Sequence, residues 1–480
     1  MGNLKLLLHH LEKIDCPLGL GIILFALILR LSLIEDIPFI NDEPKLLAKA
    51  LECNALSQWA DLGLRGTQGV IYGPAPVWIY QLLLRTSHDL YTLGILKALF
   101  DSALLFIGLR QLQRVLKFSW GVISLAFVSP FLWFYARHLW DNSFNIGFSL
   151  LLVSNYLAWI YEKRPHQLLL ASLSGAAVFL THLMGLPLLL GVVLHALLFE
   201  RNLLKKKEWA WVLIALLIFV SISWDYMVFV AGQAEGIPSV YAFRGLLFPW
   251  KGGIFFSSAG MDYFFDGKLA SLLQGGWRRI WLALDFFGRT GVLLAGAGLC
   301  AALGVAVGPS PGSLPRHRST ARLAILTLLI GSLAYFKQGG FGHPHYLNGI
   351  WPAHLLALVV LLEIPKLKPV TLPLLWLQAL CLLGFILLTQ QGIHERGGTR
   401  GIHYGVSLRQ QIEIVRQTAG AESAETDIEQ FRSFGHSLST IQMLGMAGQR
   451  EKVQGRFFVG FRETGDPSDA HVEIRRIDSR

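Results

Sequence analysis

Two adjacent acids, Asp42 and Glu43, follow an apolar run in the stretch FINDEP at 39–44. A carboxylate at a boundary between water and lipid could take the proton of an attacking hydroxyl group. The same residues also suit the start of a helix, because Asn41 or Asp42 can cap a helix that has Pro44 in its first turn. A cap needs no second acid. The pair therefore predicts a helix cap, a catalytic base, or both.

A second polar cluster, YARHLWDNSFN at 135–145, ends one apolar run and begins the next. Arg137 and Asp141 are four residues apart, a spacing that allows an ion pair at a helix end. Alternatively, Arg137 is a fixed cation at the depth of the lipid headgroups, where it would suit a lipid phosphate. The local sequence leaves both interpretations open.

A third cluster, KQGGFGHPHYLNGIWP at 337–352, contains His343, His345 and Tyr346. Two histidines separated by one residue can bind a metal ion or a phosphate. They are equally typical of a polar turn that a proline stiffens. The sequence predicts either a binding site or such a turn.

One pair of charged residues lies inside an apolar run. Lys97 and Asp101 are four residues apart, so on a helix they can neutralise each other. Ionisable groups inside a membrane span usually face the interior of the helix bundle. We expect a buried pair there and count both residues as additional candidates for the site.

The composition indicates a membrane protein. Of 480 residues, 53% are hydrophobic and 15% charged, whereas a soluble chain has about 25% charged residues. The mean hydropathy is +0.48. The net charge of +10 comes from basic residues in short loops, which is the pattern of topology signals and not of a nucleic-acid surface. The four cysteines are scattered without metal-binding spacing, so we expect no disulfide framework and no structural metal.

The apolar runs predict an all-α polytopic membrane protein, since a transmembrane helix needs about 20 such residues. The first run lacks a small-residue cleavage site and is predicted to be an uncleaved helix. Two short neighbouring runs predict a tight helical hairpin. About 11 predicted spans lie near 17–34, 90–109, 117–136, 143–161, 167–181, 186–200, 209–230, 284–306, 322–337, 347–362 and 371–389.

The loops between these runs predict the orientation. If the N-terminus is cytoplasmic, the basic segments LRQLQR, EKRPH, RNLLKKKE, PRHRS and PKLK all fall in cytoplasmic loops, as the positive-inside rule requires. The C-terminus then lies outside. The absence of paired outer cysteines and the compact bundle favour the bacterial plasma (inner) membrane.

Two regions outside the bundle are predicted to be structured. The first outer loop, 35–89, is too rich in Leu, Ile and Trp for disorder, and its segment YGPAPVWIYQLLLRTSHDL predicts an interfacial helix. The polar residues 390–480 predict a small extracytoplasmic α/β domain after the transmembrane domain of 1–389. We expect an amphipathic helix in SLRQQIEIVRQTAG and strands in GRFFVGFRE and AHVEIRRI.

On this topology the three polar clusters share the outer face. Together they resemble the GT-C membrane glycosyltransferases, in particular the protein mannosyltransferase and aminoarabinose transferase group (glycosyltransferase family 39-like). NDEP resembles the acidic motif of that family's long first loop, and ARHLWDN its segment at the end of the third helix. HYLNGIWP is similar to the Tyr and Pro that open a late helix. The resemblance covers most of 1–200 and 337–362.

The resemblance implies transfer of a sugar from a polyprenyl-phosphate donor to an acceptor hydroxyl outside the cytoplasm, with inversion at the sugar carbon. The acceptor would be a protein, a lipid or a glycan. Carried over, Asp42 is the catalytic base with Glu43 beside it, and Arg137 binds the donor phosphate. The residues that would line the donor site are His343, His345 and Tyr346.

Two parts of the family pattern do not carry over. The spacing of Arg137 and Asp141 departs from that of protein mannosyltransferases, so Asp141 is an additional candidate without an assigned role. Some family members hold a divalent metal near the phosphate. This sequence contains no clear set of ligands, so no cofactor is assigned and a divalent metal stays open.

Three other functions compete with this reading. A multi-helix transporter would suit the number of spans and the Lys97–Asp101 pair, but the chain has no repeated halves. A ligase or polymerase would use whole glycans on a diphosphate carrier, so the type of donor would separate it from a glycosyltransferase. A scaffold without catalysis would fit if Asp42 only caps a helix.

Overall fold

The structure is a computed structural model of the chain. It describes the residues in the ranges 2–53, 58–66, 69–200, 208–233, 241–265, 269–308, 315–337, 343–401, 403–418, 423–428, 430–431, 436–446, 456–464, 466 and 468–477. The basic segment RNLLKKKE lies outside the described residues except for its last residue.

Helices account for most of the described chain. In chain order they are α1 Gly2–Leu31, α2 Asp42–Glu52, α3 Ala75–Leu84, α4 Leu90–Leu116, α5 Trp120–Phe127, α6 Pro130–Arg137, α7 Phe144–Glu162, α8 Pro165–Thr181, α9 Leu186–Phe199, α10 Trp209–Gln233, α11 Phe243–Leu247, α12 Gly275–Arg289, α13 Gly291–Val307, α14 Pro315–Lys337, α15 Trp351–Leu362, α16 Lys368–Arg396, α17 Leu408–Thr418 and α18 His436–Met443.

Within the described residues, seven helical stretches are long and apolar enough to cross a membrane. They carry exposed side chains such as Leu217, which is 64% exposed, and Leu293, which is 73% exposed. An apolar surface of this kind suits lipid and not water. Three more predicted spans correspond to the shorter apolar helices α8, α9 and α15. The prediction of an all-α integral membrane protein is confirmed.

The predicted span near 117–136 consists of two helices, α5 and α6. The chain leaves the helical path at Ser129 and starts again at Pro130, whose fixed φ and missing N–H suit a first helical position. The Ser129 hydroxyl oxygen accepts a hydrogen bond from the Leu132 N–H at 3.2 Å. Because of this break, α6 is a separate short helix that ends at Arg137.

The predicted span near 284–306 is the second part of a longer apolar stretch. The stretch runs from Gly275 to Val307 and passes from α12 to α13 at Thr290. Gly291 begins α13 so close to another segment that a Cβ there would lie 1.8 Å from the Phe256 carbonyl oxygen. Glycine therefore allows this helix to pack directly against backbone.

The first loop contains two helices, α2 and α3, in agreement with the amphipathic pattern of its sequence. Their apolar side chains, among them Leu46 and Tyr80, belong to one buried cluster with Leu408 and Ile412 of α17. The loop thus packs against the C-terminal segment. This burial fixes the position of the acidic motif at the start of α2.

The C-terminal segment contains α17, α18 and a three-stranded sheet. The strands are β1 Ser423–Thr426, β2 Arg456–Phe461 and β3 Val472–Ile477, in the order β1-β2-β3. β1 runs parallel to β2, and β3 runs antiparallel to it. The predicted helix and both predicted strands are present, and β1 is an additional strand. The division at residue 390 stays a prediction, since α16 continues to Arg396.

Candidate active site

The acidic motif begins α2, but its side chains do not cap the helix. Asn41 is the N-cap residue and makes no side-chain hydrogen bond to the helix, and Asp42 is the first helical residue. Asn41 has φ 57°, which is a costly backbone conformation for a residue other than glycine. Asn41 therefore holds the predicted N-cap position, but the side-chain bond that a cap would make is absent there.

The two acids have different surroundings. The Asp42 side chain is 37% exposed, and its Oδ1 lies 3.5 Å from Lys45 Nζ. Glu43 is buried, with its Oε1 2.5 Å from His138 Nδ1 and its Oε2 accepting a hydrogen bond from the Ile40 N–H at 3.3 Å. One acid can therefore reach water, whereas the other is enclosed.

Burial sets the protonation of the enclosed pair. It raises the pKa of Glu43 well above its ordinary value, and the nearby charge of Asp42 raises it further. Burial also lowers the pKa of His138 well below its ordinary value, with further lowering by the cations Lys97 and Arg137. Both directions favour a neutral acid beside a neutral imidazole.

Arg137 does not pair with Asp141 in the part of the chain that the structure describes. Its guanidinium is buried and donates hydrogen bonds to the carbonyl oxygens of Ser32 at 3.0 Å and Leu33 at 2.5 Å. It also lies 4.9 Å above the Trp133 ring. The interpretation of an Arg137–Asp141 ion pair is wrong, because the residues after α1 offer the guanidinium its acceptors.

Asp141 is buried near the acidic motif. Its Oδ1 accepts a hydrogen bond from the Asn142 N–H at 2.7 Å. Burial raises the pKa of Asp141 well above its ordinary value, and the nearby acids Asp42 and Glu43 raise it further. Three carboxyl groups therefore meet at this end of the bundle, which we call the loop end, where α1 finishes and α7 begins.

The third cluster reaches the same loop end. His343 precedes a short 3₁₀ helix, Pro344–Leu347, and its Nδ1 lies 2.6 Å from the Tyr263 hydroxyl. The His345 ring lies 4.8 Å from the Trp140 ring and 4.3 Å from the Tyr346 ring. Burial lowers the pKa of His345 well below its ordinary value. These contacts describe an aromatic wall with neutral imidazoles.

Lys97 and Asp101 form the expected buried pair inside α4. Their Nζ and Oδ2 atoms are 2.5 Å apart, and Lys97 also donates to the Tyr135 carbonyl oxygen at 2.7 Å. This second bond ties α4 to α6, two residues before Arg137. The pair thus helps to hold α6, the helix that ends at Arg137. Any direct role of Lys97 or Asp101 in the reaction stays a prediction.

Sequence reasoning missed several residues of this region. His138, Trp140, Tyr263 and His403 line a cavity of about 50 Å³ together with Glu43. His138 and Trp140 stand inside the quoted segment YARHLWDNSFN and could have been found there. Tyr263 and His403 come from segments that carried no motif.

In the described part of the chain, His343 and His345 belong to no group of three possible metal ligands. Their rings stack with an interplanar angle of 16°, and the Tyr263 hydroxyl already contacts His343 Nδ1. Among the described residues, one group has metal-compatible spacing, namely Glu35, Asp36 and His394. Arg409 lies 3.3 Å from the Asp36 carboxylate, and its positive charge would repel a metal ion in this group.

Comparison with known proteins found matches among solved structures, two of which are structures of ArnT. No family model matches the sequence, and no curated protein matches it. ArnT from Cupriavidus metallidurans in the apo state aligns over 93% of this chain and 93% of that chain, with 14% identity and a TM-score of 0.45. The same protein bound to undecaprenyl phosphate aligns over 94% of this chain and 93% of that chain, with 12% identity and a TM-score of 0.41. Both are structures of ArnT, which falls in the aminoarabinose transferase group that the sequence motifs resemble.

Proposed function

We propose that this protein is a membrane glycosyltransferase that moves a sugar from a polyprenyl-phosphate donor to an acceptor hydroxyl. The observation that carries the proposal is the position of Asp42. It is a partly exposed acid at the end of an apolar helix bundle, next to the buried acid Glu43, which contacts His138, the residue after the buried Arg137. Such a place lets a lipid-linked donor keep its chain in the membrane while its sugar meets an acceptor from water.

The reaction needs a base, a cation and alignment of the two substrates. Asp42 takes the proton of the acceptor hydroxyl while the acceptor oxygen forms a bond to the sugar C1. The bond between C1 and the phosphate oxygen breaks, and the polyprenyl phosphate leaves with that electron pair. Direct displacement inverts the configuration at C1.

Arg137 supplies positive charge for the departing phosphate. Its bonds to the Ser32 and Leu33 carbonyls hold the guanidinium at the loop end, and its Nε has no hydrogen-bond partner among the described residues. A fixed cation of this kind stabilises a charge that grows during the reaction. The donor-contacting role that we propose for His343, His345 and Tyr346 is supported by their position in the aromatic wall of the loop end.

The charge distribution supports an outer location for the loop end. At the opposite end of the bundle, Arg114 pairs with Glu162 at 3.0 Å, and the Tyr161 hydroxyl donates to the Arg316 carbonyl at 2.8 Å. This opposite end carries the described members of the basic loops and would face the cytoplasm. We therefore propose that the reaction takes place outside the cytoplasm, and we keep the bacterial plasma membrane as the proposed location.

The first test is release of polyprenyl phosphate from a panel of polyprenyl-phosphate sugars by purified protein, with membrane extract as acceptor. We expect Asp42→Asn to lower the rate by about 10²–10⁴-fold, the usual contribution of a general base. Asp61→Asn is the matched control, because Asp61 is an exposed acid of the same loop.

The alternative outcomes separate the competing functions. Release by neither wild type nor variant across the panel would favour a transporter or an enzyme that uses diphosphate-linked glycans. Equal release by wild type and Asp42→Asn would keep the glycosyltransferase but refute Asp42 as the base.

A further inference from the structure

Glu43 and His138 form an enclosed pair whose role the proposed reaction does not explain. The contact of 2.5 Å joins the second residue of α2 to the residue that follows α6. Glu43 is 1% exposed and His138 is 3% exposed. An acid that cannot reach water is badly placed to collect a proton from an acceptor hydroxyl.

We propose that His138 is a positioning residue that holds Glu43 in its protonated form, so that Asp42 carries the only negative charge of the acidic motif. This inference rests on the proposed function, in which Asp42 is the base. In this state the Glu43 proton lies in the 2.5 Å contact between its Oε1 and His138 Nδ1. Its other oxygen accepts the Ile40 N–H, so that the backbone turn before Asp42 is fixed by the same side chain.

The charges around the pair favour this neutral state. Cations lie on the side of His138, where a second positive charge on the imidazole would be repelled. Acids lie on the side of Glu43, where a further negative charge would be repelled. The groups that face the pair are Asp42 and Lys45 on α2, Tyr80 on α3, Lys97 on α4, Tyr135 and Arg137 on α6, and Asp141, Tyr263 and His403.

A neutral Glu43 has a direct consequence for the reaction. Two adjacent carboxylates at the start of α2 would repel each other and would also repel the anionic phosphate of the donor. With Glu43 neutral, one negative charge remains, on the acid that is open to water. His138 thereby acts through Glu43 and not on the substrate.

The rival explanation is that His138 only fills space. Its ring packs 4.3 Å from the Phe134 ring and 5.9 Å from the Trp140 ring, so removing it would disturb an aromatic cluster. A purely packing role would leave the protonation of Glu43 and the pH profile unchanged when the ring is replaced by another ring of similar size.

Infrared difference spectroscopy at pH 7 tests the protonation directly and does not depend on activity. We expect the difference between wild type and Glu43→Gln to contain a carboxylic acid C=O band that shifts in D₂O. His138→Phe should move this band, because the acid loses the imidazole nitrogen that lies 2.5 Å from its Oε1. Carboxylate bands alone, or a band that His138→Phe leaves in place, would overturn the proposal.

The pH–rate profile gives a second readout. If Glu43 is neutral, Glu43→Gln changes no charge, so the acid limb of kcat/KM stays where it is and the rate falls no more than about tenfold, far less than the loss expected for removing a base. If Glu43 is ionised, Glu43→Gln removes a negative charge beside the base, and the acid limb moves to lower pH. That shift would contradict the inference.

The protonation of Glu43 can still be decided if one of these experiments fails. If Glu43→Gln does not fold, the difference spectrum between wild type and His138→Phe carries the same information, since the band of Glu43 must move. If the wild type releases no polyprenyl phosphate, the proposed function fails, while the infrared result still decides the protonation of Glu43.

Discussion

At the scale of single residues, the decisive feature is the contrast between neighbours. Asp42 and Glu43 are adjacent, yet the Asp42 side chain is 37% exposed, whereas the Glu43 side chain is buried against His138. Desolvation penalises the charged form of the enclosed acid. The two carboxyl groups therefore differ in their access to water. In the same way, the two carbonyl groups that Arg137 contacts determine the position of its guanidinium.

Removing the guanidinium of Arg137 should lower stability as well as activity. A hydrogen bond from a charged donor contributes about 1.5–3 kcal/mol, and Arg137 donates two to partly buried carbonyls. We expect Arg137→Met to lower the thermal midpoint in detergent by several degrees and Arg137→Lys to lower it less. Arg85→Met is the control, because Arg85 is exposed and lies 4.8 Å above Trp59. An unchanged midpoint for Arg137→Met would show that the two carbonyl bonds contribute nothing.

At the scale of elements, the site depends on where helices begin and end. The break between α5 and α6 sets the end of the short helix that carries Arg137 and is followed by His138. The start of α2 sets the acidic pair. These boundaries depend on turn residues such as Ser129, Pro130 and Asn41, which sequence periodicity describes poorly.

Loss of the Ser129 cap should weaken the element that carries Arg137. Replacing a serine N-cap by alanine costs about 1 kcal/mol. We expect Ser129→Ala to lower the thermal midpoint and also to reduce transfer, because the end of α6 is less well fixed. Ser154→Ala is the matched control, since Ser154 is equally buried but only donates to the Leu151 carbonyl inside α7. Equal behaviour of the two variants would argue against a role for the cap.

At the scale of the whole molecule, the C-terminal segment holds the first loop in place. The Leu408 N–H donates to the Ile37 carbonyl at 2.9 Å, and the Tyr404 hydroxyl donates to the Asp36 carbonyl at 2.6 Å. The Thr440 hydroxyl of α18 donates to the Pro44 carbonyl at 3.2 Å, one residue after the acidic pair. Distant parts of the chain therefore support the start of α2.

Cutting one of these links should loosen α2 without touching the site. Thr440→Val keeps the shape of the side chain but leaves the buried Pro44 carbonyl without this donor, at a cost of about 1 kcal/mol. We expect faster hydrogen exchange in α2 and a lower kcat. Thr418→Val is the control, because the Thr418 hydroxyl bonds to the Ile414 carbonyl within its own helix. Unchanged exchange in α2 would refute this support.

Much of the architecture could be predicted because hydropathy is a local property. The apolar runs located the helical spans, the amphipathic patterns located α2, α3 and α17, and the alternating segments located β2 and β3. The predictions failed where a turn interrupts an apolar run, as at Ser129, and where a strand is short and polar, as in β1. Neither the helix break nor the short strand changes the length or the period of the hydrophobic pattern enough to be recognised in the sequence.

The sequence by itself determined the class of the protein and the candidates for its chemistry. Burial in lipid requires long apolar runs, so the few polar residues within or between these runs are easy to recognise. Only the tertiary structure decided which partners those candidates meet. Arg137 binds the carbonyl of Ser32, which is 105 residues away, and not the nearby Asp141. Glu43 meets His138, which no spacing rule connects to it. Such pairings depend on how helices pack and where their ends fall, and these are properties of the whole fold.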